Sequence, residues 1–174
     1  MTSLESQEDI VRDLFLDSLL LFKLLPPRPL AVVDIGAGAG IPGLPIRLAD
    51  RGIQLTLVES RRKRVSFLRA VCRELGLTDV TVKESRAEAL IVDEPSFSDV
   101  FDVAVARAVG PIRALVPIAF KYLKPGGLLI VSGSPRLTAQ APVGVIQILV
   151  PGATRARSFH TARKESNVPR GTWS

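Results

Sequence analysis

The sequence predicts a doubly wound α/β fold with a mostly parallel sheet, and three observations carry this prediction. Short, continuous apolar runs alternate with stretches whose apolar residues recur at helical spacing. The first run ends in an acidic residue and a glycine-rich loop, as strands do at the ligand-binding edge of open α/β sheets. The last two runs are joined closely enough to form an antiparallel hairpin. Helices are therefore expected on both faces of one sheet.

Seven segments are predicted to be strands. Five have the continuous apolar character of buried parallel strands, namely residues 31–33, 55–58, 80–82, 101–106 and 128–131. Residues 145–150 and 157–162 flank the turn Pro151-Gly152 and form the predicted C-terminal hairpin. Between the second and third strands, Val65, Leu68 and Cys72 recur at helical spacing, and Gly76 supplies a left-handed stop. Cys72 is thus predicted to lie in the core.

The chain has 174 residues, which fits a single domain, residues 1–174. An N-terminal helix is predicted within residues 1–28, with apolar positions from Ile10 to Leu24 and an end at Pro26-Pro27. Residues 29–163 form the predicted core of sheet and helices, and residues 164–174 a tail. No apolar run is long enough to span a bilayer and no secretory signal is recognisable, so we expect a cytoplasmic protein.

Composition limits the classes of function. One cysteine and one histidine, Cys72 and His160, provide no cluster with metal-ligand spacing, so we expect no metal. The 23 basic residues exceed the 17 acidic ones and give a net charge of +6. That excess favours a polyanionic partner but is equally compatible with a basic enzyme of small molecules. Charge alone leaves both alternatives open.

The loop from Asp34 to Gly40 is the strongest functional signal. Its glycines allow a ligand to approach the backbone closely, and their spacing is G-x-G-x-G. A dinucleotide fingerprint would need a third glycine at position 41, where the chain has Ile41. A phosphate-binding P-loop would need Gly-Lys-Ser/Thr after its glycines, but Ile41-Pro42-Gly43 follows. The loop therefore favours a nucleoside ligand over a dinucleotide or a nucleoside triphosphate.

Two further elements accompany the loop. Glu59 closes the second strand, where a carboxylate can accept both hydroxyls of a ribose; alternatively, it caps the helix that begins at Ser60-Arg61. Residues 123–127 read Leu-Lys-Pro-Gly-Gly, typical of a type II turn before the fifth strand. In this order the three elements resemble class I S-adenosylmethionine-dependent methyltransferases, which have a Rossmann-like fold. The resemblance implies S-adenosyl-L-methionine as the cofactor.

A finer resemblance is to the RsmG (GidB) family of bacterial small-subunit (16S) ribosomal RNA guanine-N7 methyltransferases. It is carried by Asp17-Ser18-Leu19, the run from Asp34 to Pro45, and three shorter stretches at residues 63–68, 85–88 and 106–108. Together the two resemblances imply a cofactor site made of Asp34, Gly36, Ala37, Gly38, Gly40, Ile41, Glu59, Ser60, Ala87, Glu88 and Arg107. Glu88 is implied to lie near the adenine, and Arg107 to help form the acceptor side as the catalytic residue.

The chemistry expected from the residues is compatible with N7 methylation. The fourth strand ends in Ala106-Arg107-Ala108 and lacks the Asn/Asp-Pro-Pro-aromatic motif of exocyclic amine methyltransferases. Methylation of a pyrimidine C5 usually needs a nucleophilic cysteine, whereas Cys72 lies in a helix interior. Guanine N7 already has a lone pair, so alignment with the methyl carbon suffices and no general base is needed.

The expected partner is small-subunit ribosomal RNA or a subunit precursor, with no membrane partner, and we expect a monomer. Basic candidates for contact with RNA are Arg61, Arg62, Lys63, Arg64, Arg107, Arg113, Arg136, Arg163, Lys164 and Arg170. The chain departs from the family at Leu14, which replaces a usual histidine, and at Val131-Ser132-Gly133, where a lysine is usual. Two alternatives therefore stay open: a class I methyltransferase acting on a small molecule or protein, and a cofactor-binding or RNA-binding homologue without activity.

Overall fold

A computed structural model describes residues 14–27, 30–107, 111–133, 144–149 and 156–165 of the chain. Helices and strands alternate through most of this part. The helices are α1 (Leu16–Leu21), α2 (Gly43–Ala49), α3 (Arg62–Glu74), α4 (Ala87–Asp93) and α5 (Ile112–Tyr122), with 3₁₀ turns at Phe22–Leu24 and Pro95–Phe97. The strands are β1 (Leu30–Ile35), β2 (Ile53–Glu59), β3 (Thr81–Glu84), β4 (Phe101–Arg107), β5 (Leu123–Ser132), β6 (Gly144–Ile148) and β7 (Arg157–Arg163).

All seven strands form one sheet in the order β3-β2-β1-β4-β5-β7-β6. The first five strands pair in parallel, and β7 pairs antiparallel with both β5 and β6. The doubly wound, mostly parallel sheet and the C-terminal antiparallel hairpin predicted from the sequence are therefore confirmed. The strand order reverses between β1 and β4, which is where open α/β sheets bind ligands.

Two apolar layers cover the sheet because alternate side chains of each strand point to opposite faces. In β1, Val32 belongs to the layer under α1, α2 and α3, whereas Val33 and Ile35 belong to the layer under α4 and α5. Cys72 packs in the first layer and is 6% exposed, as its place in the helical pattern predicted. Gly76 ends α3 with a φ of 64°, which confirms the predicted left-handed stop.

Some boundaries differ from those predicted. Strand β1 extends through Asp34 and Ile35, because the parallel ladder with β2 continues to Val58. Strand β5 begins at Leu123, so the Lys-Pro-Gly-Gly segment lies within it as an irregularity. There the register against β4 shifts between Phe101 and Val103, and Gly126 has a φ of 81°. Residues 10–13, 150–155 and 166–174, which include parts of the predicted helix, hairpin and tail, lie outside the described residues.

Candidate cofactor cleft

The glycine-rich loop joins β1 to α2 at the carboxyl edge of the sheet. The amides of Gly36 and Ala37 both donate to the carbonyl of Val58 at the end of β2, at 2.8 and 3.1 Å. The chain then turns through Gly36, Gly38 and Gly40, with φ values of 72°, 59° and 86°. Residues with a Cβ rarely adopt this left-handed region, which explains why the turn is built from glycines.

Asp34 holds the far end of the loop. Its Oδ2 accepts a hydrogen bond of 2.8 Å from the amide of Gly43, the first residue of α2. The Asp34 side chain is fully buried, and this burial raises the pKa of the carboxyl to about 7; the Gly43 hydrogen bond lowers it and the nearby charge of Glu59 raises it. Asp34 thus contacts the loop backbone behind the cleft.

Glu59 links the loop to the start of α3. Its Oε2 accepts a hydrogen bond of 3.0 Å from the Gly38 amide, and its Oε1 accepts one of 2.8 Å from the Arg61 amide. The second contact matches the alternative in which Glu59 serves the start of a helix. A carboxylate offers about four acceptor sites, so these two bonds leave capacity for a ribose. Arg64 Nη1 lies 3.6 Å from Oε2.

A cleft of about 320 Å³ opens at this edge of the sheet. Its lining is formed by strand ends, the start of α4 and the first two turns of α5. The lining residues are Ile35, Gly36, Val58, Glu59, Ser60, Ser85, Arg86, Ala87, Glu88, Pro111, Ala114, Leu115 and Ile118. A lining that combines the apolar side chains of α5 with the carboxylates of Glu59 and Glu88 is suited to a flat heterocycle that carries a hydroxylated sugar.

The start of α4 is hydrogen-bonded to the end of α5. The Tyr122 hydroxyl, at the end of α5, donates a hydrogen bond of 2.7 Å to the carbonyl of Ala87, the first residue of α4. Tyr122 is fully buried, and burial, followed by the charge of Glu88, raises the pKa of its phenol. The phenol therefore stays a donor at all physiological pH values and fixes one side of the cleft.

The structure brings together some of the predicted site residues and not others. Gly36, Glu59, Ser60, Ala87 and Glu88 line the cleft. Six other predicted residues lie outside its lining: Asp34, Ala37, Gly38, Gly40, Ile41 and Arg107. The first five of these six shape the loop. Their direct contact with a cofactor stays a prediction, as does the catalytic role of Arg107.

Sequence reasoning missed the contribution of α5. Pro111, Ala114, Leu115 and Ile118 form the apolar wall, but their pattern is that of any amphipathic helix. The available signal was topological, because the helix that follows β4 must begin at the carboxyl edge of the sheet, beside the loop after β1.

The predicted basic candidates occupy opposite edges of the sheet. Arg61, Arg62, Lys63 and Arg64 are exposed at the start of α3, next to the cleft residue Ser60. Arg163 and Lys164 lie instead at the amino edge, where the Lys164 ammonium donates to the carbonyls of Phe120 and Leu123 at 2.8 and 2.9 Å and pairs with Asp99. Arg136 and Arg170 fall outside the described residues.

Neither a metal centre nor a membrane helix is found in the described part of the chain. Among those residues, no group of three or more His, Cys, Asp or Glu side chains is arranged to hold a metal ion. No helix formed by those residues is long and apolar enough to cross a bilayer.

Comparison with known proteins identifies relatives. The GidB family model, described as rRNA small subunit methyltransferase G, matches residues 1–141. The ribosomal RNA small subunit methyltransferase G of Alkaliphilus oremlandii is 38% identical over 144 residues, which are 82% of this chain and 59% of the relative. The protein of the same name from Dictyoglomus thermophilum is 34% identical over 181 residues, 97% of this chain and 75% of the relative. The chain thus spans less than two thirds of the Alkaliphilus protein.

Solved structures share the fold. A "predicted O-methyltransferase" of Agrobacterium tumefaciens aligns with a TM-score of 0.70 at 21% identity, over 87% of this chain and 81% of that one. A SAM-dependent methyltransferase of Aquifex aeolicus aligns with a TM-score of 0.64 at 14% identity, over 88% of this chain and 92% of that one. At these identities the likeness concerns the fold alone.

Proposed function

This chain belongs to the GidB family, and from that premise we propose that it is an S-adenosylmethionine-dependent methyltransferase that modifies N7 of a guanine in small-subunit ribosomal RNA. The observation that carries the proposal is one cleft that combines Gly36 of the loop, Glu59 at the end of β2 and the Ala87-Glu88 pair at the start of α4. These residues come from three separate stretches of the sequence.

The cleft suits the cofactor in size and in chemistry. Its volume, about 320 Å³, is at the lower end of the range of small-molecule sites. Glu59 would accept hydrogen bonds from the ribose hydroxyls, and the apolar wall of α5 would pack against the adenine. Glu88, in the first turn of α4, would lie on the adenine side. When bound, S-adenosylmethionine supplies an activated methyl group.

The residues of the cleft support transfer to an atom that already carries a lone pair. The lining residues that the structure describes include no histidine and no cysteine, and Cys72 packs in the apolar layer under α3. Guanine N7 needs no deprotonation before it attacks a methyl carbon, so the contribution of the protein is to orient the two reactants and exclude water. Backbone groups and carboxylates that hold the donor are sufficient for that task.

An RNA acceptor is supported by the charge beside the cleft. Four consecutive basic residues, Arg61 to Arg64, are exposed where α3 begins, and the first turn of α3 has no acidic residue. Cations at a helix N-terminus oppose the helix dipole by about 0.3–1 kcal/mol each. A phosphate backbone would compensate this unfavourable interaction and would hold the acceptor beside the methyl donor.

The test is transfer of labelled methyl from S-adenosylmethionine to small-subunit RNA from cells that lack the modification. Gly36→Asp serves as the blocked variant, because it adds a side chain and a negative charge to the cleft lining. Glu74→Gln serves as the matched control, since Glu74 is exposed at the end of α3, away from the cleft. Binding of S-adenosylmethionine is measured separately by calorimetry.

Label on N7 of a guanine with the wild type and the control, and its loss with Gly36→Asp, is the expected result. Cofactor binding without labelled RNA would contradict the RNA acceptor and favour a small-molecule or protein substrate. Absence of cofactor binding would contradict the whole proposal.

A further inference from the structure

We propose that Arg107 and Arg157, held side by side by Asp17, form a site for a backbone phosphate of the RNA acceptor; this inference rests on the function proposed above. The three residues come from distant segments, since Asp17 lies in α1, Arg107 ends β4 and Arg157 begins β7. Asp17 Oδ2 is 3.7 Å from Arg107 Nη1, and its Oδ1 is 3.2 Å from Arg157 Nε. One carboxylate therefore pairs with two guanidinium groups.

The sheet register explains why these side chains converge. Arg107 is paired with Ser132 of β5, and Ser132 is paired with Phe159 of β7. Directly paired residues point to the same face of a sheet, and Arg157 shares that face because it precedes Phe159 by two positions. Helix α1 packs on this face, since its leucines share an apolar layer with Phe159. This packing places Asp17 next to the last residue of β4 and the first residue of β7.

A second polar group lies between the two arginine-bearing strands. Ser132 is 3% exposed, and its hydroxyl has no hydrogen-bond partner among the residues that the structure describes. Buried hydroxyls are normally hydrogen-bonded, and an unpaired one is costly. Together with the arginines, this hydroxyl gives the carboxyl end of β5 a strongly polar character in an otherwise apolar layer.

The chemistry of the cluster fits a phosphodiester. The arginine side chains are 24% and 30% exposed, so they are ordered by their surroundings yet reachable from solvent. Guanidinium groups present a planar fork of donors that matches phosphate oxygens, and arginine is favoured wherever such oxygens are recognised. Strand β4 lies next to β1, whose carboxyl end carries the cofactor loop. An RNA backbone bound here would therefore pass beside the methyl donor.

Asp17 is assigned as a positioning residue. Without its carboxylate, the two partly buried cations would repel each other and turn towards solvent. Removal of this acidic residue should therefore weaken binding of RNA, although it makes the protein more positive. Generic attraction between a basic protein and RNA predicts the opposite change, so the sign of the effect distinguishes the two explanations.

The experiment measures the dissociation constant of an unmodified small-subunit RNA fragment as a function of salt concentration. We expect Arg157→Gln to weaken binding and to reduce the slope of log K against log salt by about 1, because one phosphate contact is lost. Arg157→Lys should keep the slope and lose affinity, because it retains the charge but not the fork. Asp17→Asn should weaken binding at low salt.

Arg73→Gln is the matched control. Arg73 is 74% exposed in the last turn of α3, where it forms an ion pair with the adjacent Glu74. Its removal should leave the affinity and the slope unchanged. Calorimetric titration of every variant with S-adenosylmethionine reports whether the cofactor cleft is folded, since none of the substituted residues lines it.

Wild-type affinity and slope in Arg157→Gln, or tighter RNA binding by Asp17→Asn, would overturn the inference while leaving the proposed methyltransferase function intact. A wild-type protein that binds S-adenosylmethionine but has no affinity for RNA would overturn both.

Discussion

The Tyr122 hydroxyl donates a hydrogen bond of 2.7 Å to the Ala87 carbonyl and so ties the end of α5 to the start of α4. Both partners belong to the layer that supports the cleft, and Tyr122 is fully buried against Phe101, with ring centroids 6.0 Å apart. This hydrogen bond joins a residue of the apolar core, Tyr122, to a residue that lines the cleft, Ala87.

Tyr122→Phe keeps the ring and removes only the donor. We expect the free energy of unfolding to fall by about 0.5–1.5 kcal/mol, because the partly buried hydrogen bond to the Ala87 carbonyl is lost. The affinity for S-adenosylmethionine should fall as well, since Ala87 lines the cleft. Denaturant titration and calorimetry check the two effects. Loss of stability with unchanged cofactor affinity would show that the bond does not position the wall.

Asp34 should make the stability of the protein depend on pH. Its pKa is raised from 3.8 to about 7 in the folded chain, chiefly by burial, so between these pH values the folded state binds a proton that the unfolded state has released. The contribution of protonated Asp34 to the free energy of unfolding is fully present below about pH 4 and is lost as the pH rises through 7. The corresponding decrease in the free energy of unfolding is on the order of a few kcal/mol.

Asp34→Asn provides the test, because the amide oxygen can still accept the hydrogen bond from Gly43 but the side chain does not titrate. The difference in stability between wild type and variant, measured by urea unfolding from pH 4 to pH 8, should change with pH in the direction given above. A constant difference over this range would contradict the raised pKa.

Gly40 should tolerate a methyl group less well than Gly38. A Cβ at position 40 would lie 2.3 Å from Cδ1 of Leu44 and 3.1 Å from Cδ2 of Leu68, whereas at position 38 the nearest atoms are 3.8 Å away. Both positions have a left-handed φ, which costs an alanine about 1–2 kcal/mol. Gly40→Ala adds overpacking of about 1–3 kcal/mol, so its melting temperature should be clearly lower than that of Gly38→Ala. Equal melting temperatures would show that Leu44 moves aside freely.

Glu59→Gln should weaken the binding of S-adenosylmethionine by about tenfold or more, since hydrogen bonds to a charged acceptor contribute about 1.5–3 kcal/mol. It should also lower the pKa of Asp34, because the charge of Glu59 helps to raise it. Glu74→Gln, which removes an exposed carboxylate at the far end of α3, is the control for both measurements. Unchanged cofactor affinity in Glu59→Gln would restrict Glu59 to its backbone contacts with Gly38 and Arg61.

Lys164 should contribute to the stability of the fold but not to the binding of RNA. Lys164→Met removes its hydrogen bonds to the Phe120 and Leu123 carbonyls at the amino edge of the sheet, and we expect a loss of about 1–3 kcal/mol in the free energy of unfolding. For RNA binding by Lys164→Met, the slope of log K against log salt should equal that of the wild type. Lys63→Met, beside the cleft, should reduce this slope. A reduced slope in Lys164→Met would place RNA at the amino edge as well.

The fold class and the place of the cleft follow from patterns that run along the chain. Apolar runs alternating with helical patterns require a sheet covered on both faces, and Gly36, Glu59 and Ala87-Glu88 follow strands whose carboxyl ends must meet at one edge. The same reasoning correctly placed Cys72 in the core. These properties depend on local periodicity and on topology, both of which can be read along the chain.

Contacts between distant residues, in contrast, depend on the folded chain as a whole. Tyr122 reaches Ala87 across 35 positions, and Lys164 reaches Phe120 across 44. Asp17 lies between Arg107 and Arg157 because β7 inserts between β5 and β6. Side-chain contacts of this kind depend on strand order, register and helix packing, which are set by the burial of the whole core. No local pattern encodes them, and for that reason the basic residues could be counted from the sequence but not assigned to an edge of the sheet.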